Sequence, residues 1–412
     1  MLAARGCSDH AALYAKYLIE VLLGPVGTMR AKGNPLRRGG EAKRARTLYS
    51  KWSNLSATSG LIDECGATNG RDAARLPQAV SERTRRCTGV ASIEYVVGVD
   101  AGGSSTRAIA VGLDSVVLGR GAAGGANPNS HPYEVAAARM AEAMAAATSG
   151  LDAGAARACV IGMAGSSKLT DDTVDAVFRQ AWRDTGLTCA MRVVTDQEAA
   201  FASATAEPGG AVLVAGTGAI AATIIDRKLA ATIGGYGWLL GDEGSAYWIG
   251  REAVRATLRT LAAGGPLGSL ALAVLDEAIG ERPEDTHTSR RHAFARLITA
   301  ANAEPPIRLA RFAPLVSDQV LDDPVAEDIV LRTVDVLVEM AEAARRPGTP
   351  VVLVGSVVGP DSPIGARLRD RLGGVLSATD GVLGAAWLAA VDVLGVHTRH
   401  PRMTQTGMIA GQ

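Results

Sequence analysis

Two glycine turns, each set between apolar runs, constrain this chain most. One lies in VVGVDAGGSSTRAIA and the other in AVLVAGTGAIAATI. In both, a strand-like stretch reaches glycine and a second strand-like stretch starts at once, the pattern of a tight hairpin. Gly102, Gly103, Gly216 and Gly218 carry no Cβ, so the backbone of either turn can approach a ligand closely. The residues after each turn read as strand, which excludes the dinucleotide fingerprint, and no lysine stands where a GxxxxGK[ST] loop needs one. In the first hairpin the N–H groups of Gly103, Ser104 and Ser105 can face an anion. The carboxylate of Asp100 beside that anion would repel it, so the chemistry requires a bridging Mg²⁺, an ion that takes few carboxylates and completes its shell with phosphate oxygens. The plain alternative is a hairpin turn that happens to contain an aspartate.

The hairpins also organise the chain. After the first, YEVAAARMAEAMAAATSG and DDTVDAVFRQAWRDTG read as helices, with ARACVIGMAG and MRVVTD as buried strands. After EPGG the order repeats: strand, glycine turn, two strands, a helical region to about Arg346, and the late strand VVLVGSVVG. The expected fold is α/β, with two duplicated domains built on mixed sheets and a cleft between them: 93–207, completed by a C-terminal helix at 380–395, and 208–379.

Residues 1–92 read differently. They hold Cys7, Cys65 and Cys87 and the basic runs LRRGGEAKRAR and SERTRR, without sustained periodicity, and are expected to be a disordered extension or a start-site artefact; a basic interaction arm is the alternative. Forty-two basic residues balance 42 acidic ones, which removes the broad attraction nucleic-acid binding depends on. No apolar run approaches the length of a membrane span. The five cysteines lack CxxC spacing and the histidines lack HxxxH, so a cytoplasmic protein without a zinc site is expected.

Four further segments carry candidate chemistry. In RVVTDQEAAFASA a buried strand ends at Thr195 and Asp196 where a helix begins, the edge at which open α/β sheets bind ligands. Asp196 could equally be a helix cap, and Glu198 a first-turn acid favoured by the helix dipole. GGYGWLLGDEGSAYWIGREA sets Asp242 and Glu243 among Tyr236, Trp238 and six glycines; paired carboxylates and rings suit a polyol, whereas dipole-favoured acids at a helix start are the alternative. Gly355 and Ser356 follow a buried strand and leave room for a flat base. Asp380 and Gly381 turn the chain into an Ala-rich helix, compatible with a hinge or with plain packing.

The order DAGGSST, GMAG, TDQEAA, AGTGA, GGYGWLLGDEGSAYW and VGSVVG resembles the actin, hexokinase and acetate kinase superfamily over about residues 94–395, where the domains are ribonuclease H-like. Within it the chain looks like the N-acetylglucosamine kinase branch, which groups with the ATPases that activate benzoyl-CoA and 2-hydroxyacyl-CoA enzymes. The resemblance implies ATP and Mg²⁺ as cofactors and an amino sugar as substrate, with a homodimer left open. It implies Asp100 as metal ligand and Asp196 as catalytic base. Phosphates would lie on Gly102, Gly103, Ser104, Ser105, Thr106, Gly216, Thr217 and Gly218, and adenosine on Gly355 and Ser356. Asn127, Gly165, Thr217, Tyr236, Asp242 and Glu243, with Asp196, would contact sugar. The family often reads GTGSN and GGWG where this chain has GTGAI and GGYG, so glucosamine stands beside N-acetylglucosamine as a candidate for phosphorylation at the 6-hydroxyl. An activator-type ATPase, or a nucleotide-gated module without catalysis, is the alternative. Neither Cys159 nor Cys189 sits where the activators hold an iron-sulfur cluster. No motif offers an obvious Lys or Arg for the phosphates.

Overall fold

The computed structural model describes residues 93–378 and 380–401, so the reading of residues 1–92 lies outside the described residues. Two five-stranded mixed sheets form the frame. The first holds β1 (Tyr95–Ala101), β2 (Ser105–Gly112), β3 (Val117–Gly124), β4 (Ala156–Met163) and β5 (Ala190–Thr195) in the order β3-β2-β1-β4-β5. The second holds β6 (Gly210–Ala215), β7 (Ala219–Ile225), β8 (Lys228–Gly234), β9 (Val351–Val354) and β10 (Val375–Ser377) in the order β8-β7-β6-β9-β10.

The two orders are the same in sequence logic. Each sheet opens with three antiparallel strands, then adds two parallel ones on the far side of its first strand. This duplication is what the repeated hairpins imply. Central strands β1 and β6 are buried almost throughout because helices cover both faces, which is why YVVGVDA and GAVLVA read as continuous apolar runs rather than alternating ones.

Helices fill in around the sheets. On the first, α1 (Tyr133–Ala147) buries Ala136, Met140 and Met144, and α2 (Asp172–Asp184) buries Val174, Phe178 and Trp182 at one-turn spacing after an Asp171 cap. In the second half, α4 (Ala246–Ala263), α5 (Ser269–Ile279), α6 (His287–Asn302), α7 (Ala313–Asp318), α8 (Pro324–Ala344) and α9 (Pro363–Leu372) build one apolar core with β6, β7 and β9.

Two helices cross between the sheets. In α3 (Asp196–Ala204) every residue from Gln197 to Ala204 is buried. Its Ala199 and Ala202 pack with Val96, Val160 and Val194 of the first sheet, while Phe201 and Ala204 pack with Val212, Val214, Ile220 and Val352 of the second. Conversely, α10 (Gly381–Leu394) follows the second sheet's last strand but lays Ala385, Trp387 and Leu388 on the first sheet. The two helices meet at Gly384, where any Cβ would fall 1.9 Å from the carbonyl oxygen of Ala199. Only glycine permits that approach.

Candidate functional site

The site residues gather where parallel strands end. Across the first sheet Ala101 pairs with Met163, and Met163 with Thr195, so Gly102, Ala164 and Asp196 lie side by side at one sheet edge. The N–H of Ala164 donates to the Ala101 carbonyl at 3.1 Å. The Gly102 carbonyl accepts the N–H groups of Ala126 and Asn127 at 2.9 and 3.2 Å, which brings the loop after β3 over the same edge. There Asn127 and Asn129 are buried, and a Cβ at Gly165 would strike Asn127 Oδ1 at 2.3 Å and Asn129 Nδ2 at 2.9 Å. Asn127 Oδ1 accepts the Asn129 N–H at 2.7 Å, while Asn127 Nδ2 and Asn129 Oδ1 are buried without a hydrogen-bond partner. Buried amide atoms in that condition suit a ligand that brings hydroxyls. Asn129 has no sequence signal of its own, because nothing in NPNS separates a buried asparagine from a turn residue.

Asp196 is the first residue of α3 but not its cap. The cap is Thr195, whose hydroxyl accepts the Glu198 N–H at 3.2 Å, and Glu198 returns its carboxylate to the Thr195 N–H and hydroxyl, completing a capping box. Glu198 is therefore the structural acid of the pair. Asp196 is left half-buried at the strand edge.

The first hairpin corrects one expectation: a basic residue does stand in it. Arg107 lies directly opposite Asp100 in the antiparallel register, donates to the Asp100 carboxylate, and reaches Asp380 Oδ1 at 3.1 Å. Burial pushes the Asp100 carboxyl up; Arg107 opposes that shift and Asp380 adds to it. The alternation of β2 sets Ser105 and Arg107 on its exposed face and buries Thr106, whose hydroxyl donates to the Gly124 carbonyl at 2.8 Å. The Thr106 side chain thus fastens β2 to β3 instead of pointing where Ser105 and Arg107 point. Gly103 and Ser104 form the turn itself, and His131 Nε2 donates to the Gly103 carbonyl at 2.8 Å while Arg139 approaches His131 Nδ1 at 3.3 Å and the Gly125 carbonyl at 2.9 Å. His131, an ordinary surface or core histidine by its sequence context, braces the turn.

The second hairpin is braced likewise. The carbonyls of Gly216 and Thr217 accept the N–H groups of Ala246 and Tyr247, the first residues of α4. Gly355, at φ 105°, sits against this turn so closely that a Cβ would lie 2.3 Å from the Ala215 carbonyl oxygen, with exposed Ser356 beside it. Asp242 is 3% exposed at φ 61°, and its Oδ1 accepts the Ala219 N–H at 3.2 Å beside Gly218. Burial lifts its carboxyl to about 6; the Ala219 bond lowers it and neighbouring Glu243 raises it. A non-glycine residue in the left-handed region, carrying a buried acid, is the kind of local cost that clusters at functional sites. Tyr236 is 65% exposed and Glu243 is exposed, so these two line the rim rather than the interior. Trp238 meets Tyr247 edge-on at 6.1 Å. A surface cavity of about 720 Å³ lined by Thr205, Glu207, Arg345, Pro350 and Leu376 shares no residue with this set.

Residues 97–389 match the BadF/BadG/BcrA/BcrD ATPase family. The chain belongs to that family. Among curated relatives, an N-acetylmuramic acid/N-acetylglucosamine kinase of Clostridium acetobutylicum is 31% identical over 170 residues, which covers 41% of this chain and 55% of the relative. The chain thus spans about half the length of that relative. The fold of this BadF-type chain is shared with crystal structures of two candidate N-acetylglucosamine kinases. That from Chromobacterium violaceum has a TM-score of 0.53 at 24% identity, covering 72% of this chain and 99% of its own. That from Porphyromonas gingivalis has a TM-score of 0.53 at 22% identity, covering 72% and 98%.

Within this ATPase family the cysteines take a plain place. Cys159 is wholly buried in β4 and burial pushes its thiol well up; Cys189 is half-buried just before β5. Among the described residues no three of His, Cys, Asp and Glu cluster as a metal site, and no helix is long and apolar enough to cross a membrane.

Proposed function

We propose that this chain is an ATP-dependent amino-sugar kinase that phosphorylates the 6-hydroxyl of glucosamine or N-acetylglucosamine. The observation that carries the reading is the row Gly102, Ala164 and Asp196 along one sheet edge, with the buried amides of Asn127 and Asn129 against Gly165 beside it. An anion turn, a carboxylate and polar groups awaiting hydroxyls, all at strand ends, are the parts a sugar kinase needs.

The donors fit a magnesium-bound nucleotide. Asp100 is the next-to-last residue of its strand, close to the anion turn, and one or two carboxylates are all that Mg²⁺ takes when phosphates and water complete its shell. Bound there, the ion would neutralise charge on the phosphates. The glycine turns at 102–105 and 216–218 hold the phosphates, and Gly355 and Ser356 leave a flat space for adenine.

Asp196 accepts the proton of the sugar hydroxyl as its oxygen attacks the terminal phosphorus, and it orients that oxygen in line. Positioning supplies more of the rate than basicity does, because the transition state is loose. Asn127 and the Gly165 turn hold the ring. Ile220 and Ala219, the departures from the family pattern, are buried in β7 and pack in the two cores of the second sheet, so discrimination at the acetyl position rests on Tyr236, Asp242 and Glu243.

The test is coupled ADP release with glucosamine, N-acetylglucosamine, glucose and N-acetylmannosamine beside a no-sugar control. Release above the control with an amino sugar supports the kinase. Equal release in every well, control included, makes the chain an ATPase of another kind.

A further inference from the structure

Three helices end at one cavity. Thr205, Arg345 and Gly373, the residues that follow the last turns of α3, α8 and α9, all line the surface cavity of about 720 Å³. Each helix end carries the partial negative charge of its carbonyl groups, about half an elementary charge. At the end of α9 the protein supplies its own cation. Arg345 Nη1 donates to the Leu372 and Gly373 carbonyls at 2.8 and 3.2 Å, and Nη2 donates to Glu342 at 2.8 Å. The end of α3 is served differently: Arg227 and His400 take the Ala206 and Ala202 carbonyls, and neither residue lines the cavity. Glu207 does line it, is exposed, and has no ion pair among the described residues. One guanidinium thus stands against two carboxylates and three helix ends, and the balance at the cavity is negative.

We propose that this cavity is a binding site for an organic cation, a primary ammonium carried on an apolar body of about ring size. Its volume falls within the range of small-molecule pockets. An ammonium brings three N–H donors and no acceptor, which is what a carboxylate and helix-end carbonyls can take, whereas an anion would meet Glu207 and three negative helix ends. Arg345, held on the α9 carbonyls, shows within the same cavity how a cation is received there. The remaining wall is apolar, formed by Pro350, Leu372, Val375 and Leu376, and a heavily hydroxylated body would lose hydrogen bonds to water against it. Gly373 and Gly374, both at positive φ, keep that side open, because a Cβ on either would meet nothing within 4 Å. Arg346 and Asp226, one charge of each sign, line only a smaller adjoining cavity of about 200 Å³ that shares Glu207 and Thr349 with the first. A cation here sits at the end of the helix whose first residue is Asp196, and its charge favours that helix.

The test is calorimetric titration of the full chain with cyclohexylamine, protonated at neutral pH, and with cyclohexanol, its uncharged counterpart, in wild type, Glu207→Gln, Glu207→Lys and Asp226→Asn. Wild type is expected to bind the amine about tenfold more tightly than the alcohol, the size of one charge-assisted hydrogen bond. Glu207→Gln should lose most of that preference, and Glu207→Lys, which supplies an ammonium of its own, should not bind the amine. Asp226→Asn removes an acid that lines only the smaller cavity and should match wild type within about twofold, as a screened surface charge does. Glu207 is exposed, so its variants should melt with wild type. Amide hydrogen exchange places the ligand: the amine should slow exchange over residues 203–207 and 372–376 in wild type and not in Glu207→Lys. Equal affinity for amine and alcohol in wild type overturns the proposal, as does binding of neither. Amine affinity unchanged in Glu207→Gln, or lost equally in Asp226→Asn, overturns it too. No sugar or nucleotide enters the titration, so its failure and the failure of the kinase reading are separate results.

Discussion

The carboxylate of Glu198 accepts the N–H of Leu229 at 2.9 Å, which ties the helix beginning at Asp196 to the edge strand of the second sheet. The other oxygen of the same carboxylate holds Thr195, so one buried acid fixes both the start of α3 and its contact across the sheets. Whatever Asp196 does chemically, Glu198 sets where it stands.

Glu198→Ala should therefore lower stability by about 2 kcal/mol, because the Leu229 and Thr195 N–H groups lose a buried charged acceptor. Thermal unfolding followed by circular dichroism reads this directly. Turnover should fall as well, while nucleotide affinity, which depends on other segments, should hold.

Asp196→Asn should separate chemistry from binding. Turnover is expected to drop about a hundredfold or more with little change in sugar or nucleotide affinity, since the amide can still hydrogen-bond the hydroxyl but cannot take its proton. Steady-state rates beside calorimetric affinities check both halves. Near-normal turnover removes Asp196 from the role.

Asp242 makes stability depend on pH with a definite sign. Its carboxyl sits at about 6 in the folded chain against 3.8 ordinarily, so between these values the folded state holds a proton that the unfolded state has released. Stability from this group is thus highest below pH 4 or so and declines as pH rises toward 6, by about 3 kcal/mol in all. Asp242→Asn, which tolerates the left-handed backbone and can still accept the Ala219 N–H, should lack that decline. Denaturant midpoints of the two proteins at several pH values give the difference.

Gly355→Ala should destabilise the chain by about 2 kcal/mol or more, because the new methyl meets the Ala215 carbonyl oxygen and the backbone is held at φ 105°. Nucleotide affinity should fall with it, since Gly355 rests on the Gly216 turn. Chemical denaturation and nucleotide titration measure the two effects separately.

Much of the fold is legible in the sequence, for identifiable reasons. The hairpins announce themselves because glycine between apolar runs has few other uses, and the repeat of strand order comes from them. The Gly355 turn and the Asp196 edge are likewise strand ends. The features without a sequence signal depend on register and long-range contact. Arg107 stands in plain sight within DAGGSSTRAIA, yet only the pairing of Asp100 opposite Arg107 makes it a partner of the metal-ligand candidate. Asp380 reaches it from 273 positions farther along the chain. Thr106 shows the same limit in reverse, because one step along a strand turns its side chain to the other face. His131, bonded to Gly103 at a separation of 28 residues, carries no local signal at all.

The destination of the phosphoryl group separates an amino-sugar kinase from every alternative. Phosphorus NMR of a reaction containing MgATP and glucosamine or N-acetylglucosamine should show a sugar phosphomonoester, coupled to the protons on carbon 6, accumulating in step with ADP. Orthophosphate forming in step with ADP, at a rate indifferent to the sugar, would contradict it.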